Sequence, residues 1–144
     1  NQNIYIRDYV PLKTFDIDHS GLPITEEYRF FFCKGKCLSG GFYWSSHAEL
    51  MEDKSLNINA KNVPQEMLED IAQRIGKNSD FFVVDIARTK TPFNSMYNLW
   101  SDWIIVELNS GQMSGISEND PKILYSNLKT VLESNDLDNL KLEW

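Results

Sequence analysis

Phe81-Phe82-Val83-Val84-Asp85-Ile86, followed by Trp103-Ile104-Ile105-Val106-Glu107-Leu108-Asn109, is the stretch that decides the fold. Both segments are rich in β-branched and aromatic residues and alternate as strands do, so their side chains can be assigned to faces. Phe82, Val84 and Ile86 share one face of the first, and Ile104, Val106 and Leu108 share one face of the second. Asp85, Glu107 and Asn109 then fall on the opposite faces, because residues two apart in a strand point the same way. If the strands pair as a hairpin, Asp85 lies near or opposite Glu107. Facing carboxylates repel unless something positive stands between them. On that ground Asp85→Asn is expected to leave the metal-free fold as stable as before, or more so. Two carboxylates and an amide oxygen also make a hard, oxygen-only donor set that suits magnesium or manganese.

Outward from this pair, strands are expected near Ile4–Asp8, Glu27–Cys33, Lys36–Trp44, Phe81–Ala87 and Trp103–Leu108. A helix with Pro64 near its first turn and Gly76 near its end carries Met67, Leu68, Ile71, Ala72 and Ile75 at helical spacing. A second helix, Pro121 to about Glu133, has Asp120 as its cap and Ile123, Leu124, Leu128, Val131 and Leu132 as its stripe. This order reads as α+β, a largely antiparallel sheet covered by helices, in a single domain spanning residues 1–144. Residues 88–102 read as a loop or an extended hairpin tip. Lys34-Gly35 reads as a tight hairpin turn. Cys33 and Cys37 on either side of it read as free buried thiols, although a cross-hairpin disulfide is geometrically conceivable.

The chain has a formal net charge of -7, with 14 Lys and Arg residues scattered along it and 42% hydrophobic residues. That composition describes a globular domain. Scattered cations exclude a nucleic-acid or anionic-membrane surface as the main partner, since phosphate contacts need clustered ones. Nucleotide binding stays compatible, because metal ions can supply positive charge. No apolar run approaches a bilayer span of about 20 residues, and the expected location is cytoplasmic. Arg29 shares a strand face with Glu27, as a surface ion pair or as a phosphate or ribose contact. Lys13 and Lys34 read as solvated, Arg88 as a surface ion-pair residue or, second, a phosphate or ribose contact, His19 and His47 as loop residues, and Tyr43 and Trp44 as packing residues. Ser45, Ser46 and Ser114 have no nucleophile elbow around them.

Asp85, then Glu107-Leu108-Asn109, then Ser110-Gly111-Gln112-Met113-Ser114-Gly115 resembles the carboxyl-terminal lobe of ATP-grasp enzymes, the superfamily that includes D-alanine–D-alanine ligases. Glu-Leu-Asn-Ser-Gly-Gln is most similar to a compact bacterial and phage clade. The resemblance spans roughly residues 4 to 116. It implies that Asp85, Glu107 and Asn109 hold Mg2+ or Mn2+ bridging the phosphates of ATP. It further implies that a hinge-like strand over residues 4–12 meets the adenine through the backbone of Arg7, Asp8, Tyr9 and Val10. Glu27 would contact the ribose, Arg29 would contact a phosphate or the substrate as the catalytic residue, and Gly111–Gly115 would approach the acceptor. The implied activity is ATP-dependent ligation of a small-molecule or peptide carboxylate to an amine through an acyl phosphate. In the family a further, amino-terminal lobe carries phosphate-binding lysines. That lobe would lie before Asn1, so residues 1–144 alone are expected to bind ATP weakly and not to ligate. The second expectation is a non-catalytic ATP-grasp-derived module acting through protein contacts.

Overall fold

Glu27-Tyr28-Arg29-Phe30-Phe31-Phe32-Cys33 is apolar on both faces apart from Glu27 and Arg29, and a strand of that composition must be covered on both sides. In the computed structural model, which describes residues 4, 6–44, 55–92, 100 and 102–144, all seven of its residues are buried. It is strand β3 in chain order, preceded by a small hairpin of β1 (Thr14–Ile17) and β2 (Pro23–Thr25) and followed by β4 (Lys36–Phe42). Helix α1 (Gln65–Gly76), strands β5 (Phe81–Arg88) and β6 (Trp103–Ser110), and helix α2 (Pro121–Glu133) complete the order. The main sheet runs β4-β3-β5-β6, with every pairing antiparallel. The expected α+β architecture is therefore the observed one.

Each sheet face has its own core. Tyr28, Phe30, Phe32, Phe82, Val84 and Ile86 meet Met67, Leu68, Ile71 and Ala72 of α1 on one side. Phe31, Cys33, Leu38 and Val83 meet Leu124 and Val131 of α2 on the other. The segment after α2 joins the two, since Leu137, Leu140 and Leu142 pack on the α2 side while Trp144 meets Phe30 edge-on on the α1 side. Lys34 (φ 46) and Gly35 (φ 77) form the two-residue β3–β4 turn, the left-handed pair that matches strand twist. Both cysteines are free. They sit at neighbouring, oppositely facing positions, Cys33 opposite Lys36 and Cys37 opposite Phe32. Asp120 caps α2 as expected, accepting hydrogen bonds from the backbone of Lys122 and Ile123.

Three expectations need correction, and one element is additional. Residues 4 and 6–11 form no strand; the segment joins the sheet through an isolated bridge, Leu12 to Thr89, flanked by a hydrogen bond from Lys90 N to Pro11 O. The β1–β2 hairpin went unforeseen, because its strands have only four and three residues. In α2, Ile123 and Leu132 point outward, 36% and 55% exposed, because the sheet accepts a narrower stripe than the five apolar positions offered. In β6, strict alternation fails at Val106. Asp85 pairs with Glu107 but Ile86 pairs with Ile105, so Val106 is the extra residue of a bulge. Trp103, Ile105 and Leu108 consequently share a face, while Ile104 turns to the side of Glu107. Leu108 stays 50% exposed, since β6 is an edge strand without a covering helix. Of the expected loop over 88–102, residues 93–99 and 101 lie outside the described residues.

Candidate functional site

The register places Gly41 of β4, Arg29 of β3, Asp85 of β5 and Glu107 of β6 in one row across the whole sheet. Cross-strand partners point to the same face, so Arg29, Asp85 and Glu107 stand side by side. Asn109, opposite Val83, belongs to the next row of that face, and Glu27, opposite Ala87, to the row on the other side. The facing carboxylates anticipated from the two strands are thus real, and the positive group beside them is Arg29, on the far side of Asp85 from Glu107. Its Nε donates to Asp85 Oδ1 and its Nη2 to Oδ2, both at 2.8 Å. Asp85 is 1% exposed and Arg29 9%, so this is a buried bidentate pair rather than a surface one. The hydrogen bond to Asp85 holds the Arg29 pKa above its already high ordinary value.

The rest of the guanidinium is also engaged. Nη1 donates to Gly115 O at 2.9 Å, and the Tyr43 ring lies 4.9 Å from the guanidinium carbon. Gly115 is brought there by Asn119, whose Nδ2 donates to Arg29 O at 3.1 Å and to Ile116 O at 2.8 Å. Ser39 Oγ donates to Asn119 Oδ1 at 2.6 Å, which completes a buried clamp holding the 114–119 segment over the sheet. A Cβ on Gly41 would lie 2.3 Å from the Glu118 backbone, so this crossing needs glycine beneath it. Gly111 has a structural reason of its own: a Cβ there would sit 2.6 Å from the Phe81 ring. Ser114 Oγ donates to Ser110 O, an internal turn contact.

Glu107 and Asn109 differ from Asp85 in being exposed. Glu27 is buried, and burial raises its pKa, opposed by the Thr25 hydroxyl and helped by the charge of Asp85. Thr25 Oγ1 donates to Glu27 Oε2 at 3.0 Å and accepts from Trp44 Nε1 at 3.0 Å. Beside these residues lies a cleft of about 580 Å³, lined by Arg7, Asp8, Tyr9, Val10, Leu12, Thr14, Pro23, Thr25 and Ile104–Val106. Arg7 Nη1 donates to Val106 O, fastening the first segment to β6 at its bulge. Arg7, Asp8, Tyr9 and Val10 therefore gather in one cleft although they form no strand. The β6 residues of that cleft run directly into Glu107.

Lys13, expected to be solvated, instead places Nζ 2.8 Å from Oε2 of the buried Glu26. Arg88 approaches the same oxygen at 3.7 Å and Asp102 at 3.6 Å, with its guanidinium over the Trp103 ring. Sequence patterning missed Glu26, Thr25, Ser39 and Asn119. Nothing in spacing separates a buried polar residue in a strand or loop from a solvated one. His47, Ser45 and Ser46 lie outside the described residues.

A family model describing an ATP-grasp domain, the second family of its clade, matches residues 17–127, most of the chain. The chain belongs to the ATP-grasp family. No curated protein matches it, and no solved structure does. Domains of this family bind ATP and Mg2+ in general. The donor set fits such an ion chemically: Asp85, Glu107 and Asn109 offer only hard oxygen atoms on one sheet face, two of them exposed. Asp85 would have to share its carboxylate with Arg29. Among the described residues no group of three or more His, Cys, Asp or Glu forms a metal cluster, so the amide of Asn109 and ligand phosphates would have to complete the shell. Also among the described residues, no helix is long and apolar enough to cross a membrane.

Proposed function

We propose that this chain provides the metal-binding and nucleoside-binding wall of an ATP-dependent carboxylate–amine ligase. The observation that carries the proposal is the in-register pairing of Asp85 with Glu107, next to a cleft formed by Arg7–Val10 and Ile104–Val106. In this proposal the backbone around Arg7, Asp8, Tyr9 and Val10 meets the adenine, and Glu27 meets the ribose. Asp85, Glu107 and Asn109 hold Mg2+ or Mn2+, which when bound neutralises phosphate charge. Arg29, already held by Asp85, Gly115 O and the Tyr43 ring, contributes its positive charge towards a phosphate or the substrate carboxylate. That carboxylate takes the terminal phosphoryl group of ATP. An amine then attacks the acyl carbon, expels phosphate and leaves an amide. The protein's share is position, charge and exclusion of water.

Titration with Mn2+ tests the metal site. An ion that binds only the folded state raises the melting temperature by mass action, and the signals of Glu107 and Asn109 broaden first in NMR spectra. Calorimetry with Mg-ATP tests the cleft. Tens of millimolar Mn2+ that moves neither the melting temperature nor those signals sinks the metal assignment.

One observation favours a second reading. Both Asp85 oxygens are already engaged by Arg29, as in a fold that has closed its metal site and serves as a non-catalytic module. In that case nucleotide binding, if measured, is independent of divalent metal.

A further inference from the structure

Glu27 opens β3 where the cleft meets the Arg29–Asp85–Glu107 row, and among the described residues Thr25 is the one hydrogen-bond donor to its carboxylate. The direction of this bond is fixed by a third residue. Indole Nε1 can only donate, so Trp44 uses the Thr25 oxygen as acceptor and the single hydroxyl proton must point to Glu27. The chain runs one way, from indole to hydroxyl to carboxylate. Thr25 and Glu27 are each 7% exposed, and Thr25 is β-branched and anchored opposite Thr14 in the β1–β2 hairpin. Glu27 Oε2 is therefore held in place before any ligand arrives, with Oε1 left over for an incoming donor.

We propose that Thr25 and Trp44 are positioning residues that set the Glu27 carboxylate for the vicinal ribose hydroxyls, making this three-residue chain the element that selects a nucleotide with an intact sugar diol. The inference rests on the assignment of Glu27 to the ribose and adds two residues from the hairpin and from the end of β4 to the nucleotide site. Physically, a pre-aimed carboxylate loses little freedom on binding, while one free to rotate must be ordered by the ligand. Carboxylate–hydroxyl bonds are charge-assisted, so a misaimed Glu27 costs selectivity as well as affinity. Thr25→Val keeps the shape and removes the hydroxyl; Thr25→Ser restores it.

The test compares dissociation constants of Mg-ATP and Mg-2′,3′-dideoxy-ATP for the parent chain and for Thr25→Val, Thr25→Ser, Trp44→Phe and Glu27→Ala. Melting curves of each variant establish that it is folded. The parent should prefer ATP by about tenfold, the scale of one charge-assisted hydrogen bond. Thr25→Val and Trp44→Phe should reduce that preference to about twofold, and Thr25→Ser should keep it, since only the methyl is lost. If Thr25→Val weakens both nucleotides by the same factor, or retains the parental preference while Glu27→Ala abolishes it, Thr25 does not position Glu27 and the inference is overturned. If Glu27→Ala itself retains the preference, or the parent shows none, the ribose assignment fails first. Absence of binding of either nucleotide to the parent chain overturns the proposed function as a whole.

Discussion

Asp85 and Arg29 sit closest to the function, and their pairing reverses one expectation. Two facing carboxylates alone would make Asp85→Asn harmless, but the structure puts a buried guanidinium on both Asp85 oxygens. Asn can satisfy at most one of those donors and none of the charge. Asp85→Asn should therefore destabilise the chain by about 3 kcal/mol, the low end for breaking a buried pair because Arg29 keeps some exposure. Urea denaturation measures it, and an unchanged midpoint would show that Arg29 finds water instead. Glu27 behaves oppositely. Burial raises its pKa above the ordinary 4.5, so ionisation of Glu27 costs more in the fold than in the unfolded chain. Its contribution is fully present at acid pH and is lost as pH rises through the folded-state value. Glu27→Gln, neutral throughout, should gain stability relative to the parent from about pH 4 towards about pH 7. Melting temperatures across that range check the sign, and a parent that gains instead would show that Arg29 stabilises the ionised form.

At the level of elements, the central strands and both helices were legible because their signals are local. The apolar runs Phe30–Cys33 and Phe81–Val84 mark β3 and β5, and helical spacing plus Asp120 marks α2. The pairing of Asp85 with Glu107 followed from alternation. The bulge at Val106 did not, since an extra residue leaves no mark in an apolar run. Nor did the Arg29–Asp85 bond, which joins positions 56 apart and depends on β3 lying between β4 and β5. Adjacency of non-consecutive strands is a property of the assembled sheet. The crossing of the 114–119 segment above Gly41 is equally nonlocal, and it yields a prediction. Gly41→Ala places a methyl where the Glu118 backbone runs, so the segment must lift from the sheet. A loss of about 2 kcal/mol, typical of overpacking, should come with faster amide exchange at Glu118, whose N–H donates to Phe42 O. Normal stability and protection would mean that the crossing is adjustable.

For the whole molecule, the segment after α2 ties the two cores into one cooperative unit. Trp144 packs edge-on against Phe30 at 5.7 Å and lies 5.9 Å from Lys61 Nζ. Trp144→Ala should cost about 2 kcal/mol, less than a fully buried tryptophan because the ring is only partly covered. Unfolding followed by fluorescence and by circular dichroism should remain coincident; separated transitions would mean the cores melt independently. The row from Gly41 to Glu107 has a consequence of a different kind. Read as a line of charge it runs neutral, positive, negative, negative, and its compensated half is interior while its uncompensated end faces water. Dissolved salt reaches only that end, because screening over a Debye length of about 8 Å at physiological ionic strength acts through solvent. Raising the ionic strength should therefore weaken the attraction of the Glu107 edge for cations while leaving the midpoint of unfolding nearly unmoved. Sensitivity of binding and tolerance of folding are set by opposite ends of one row.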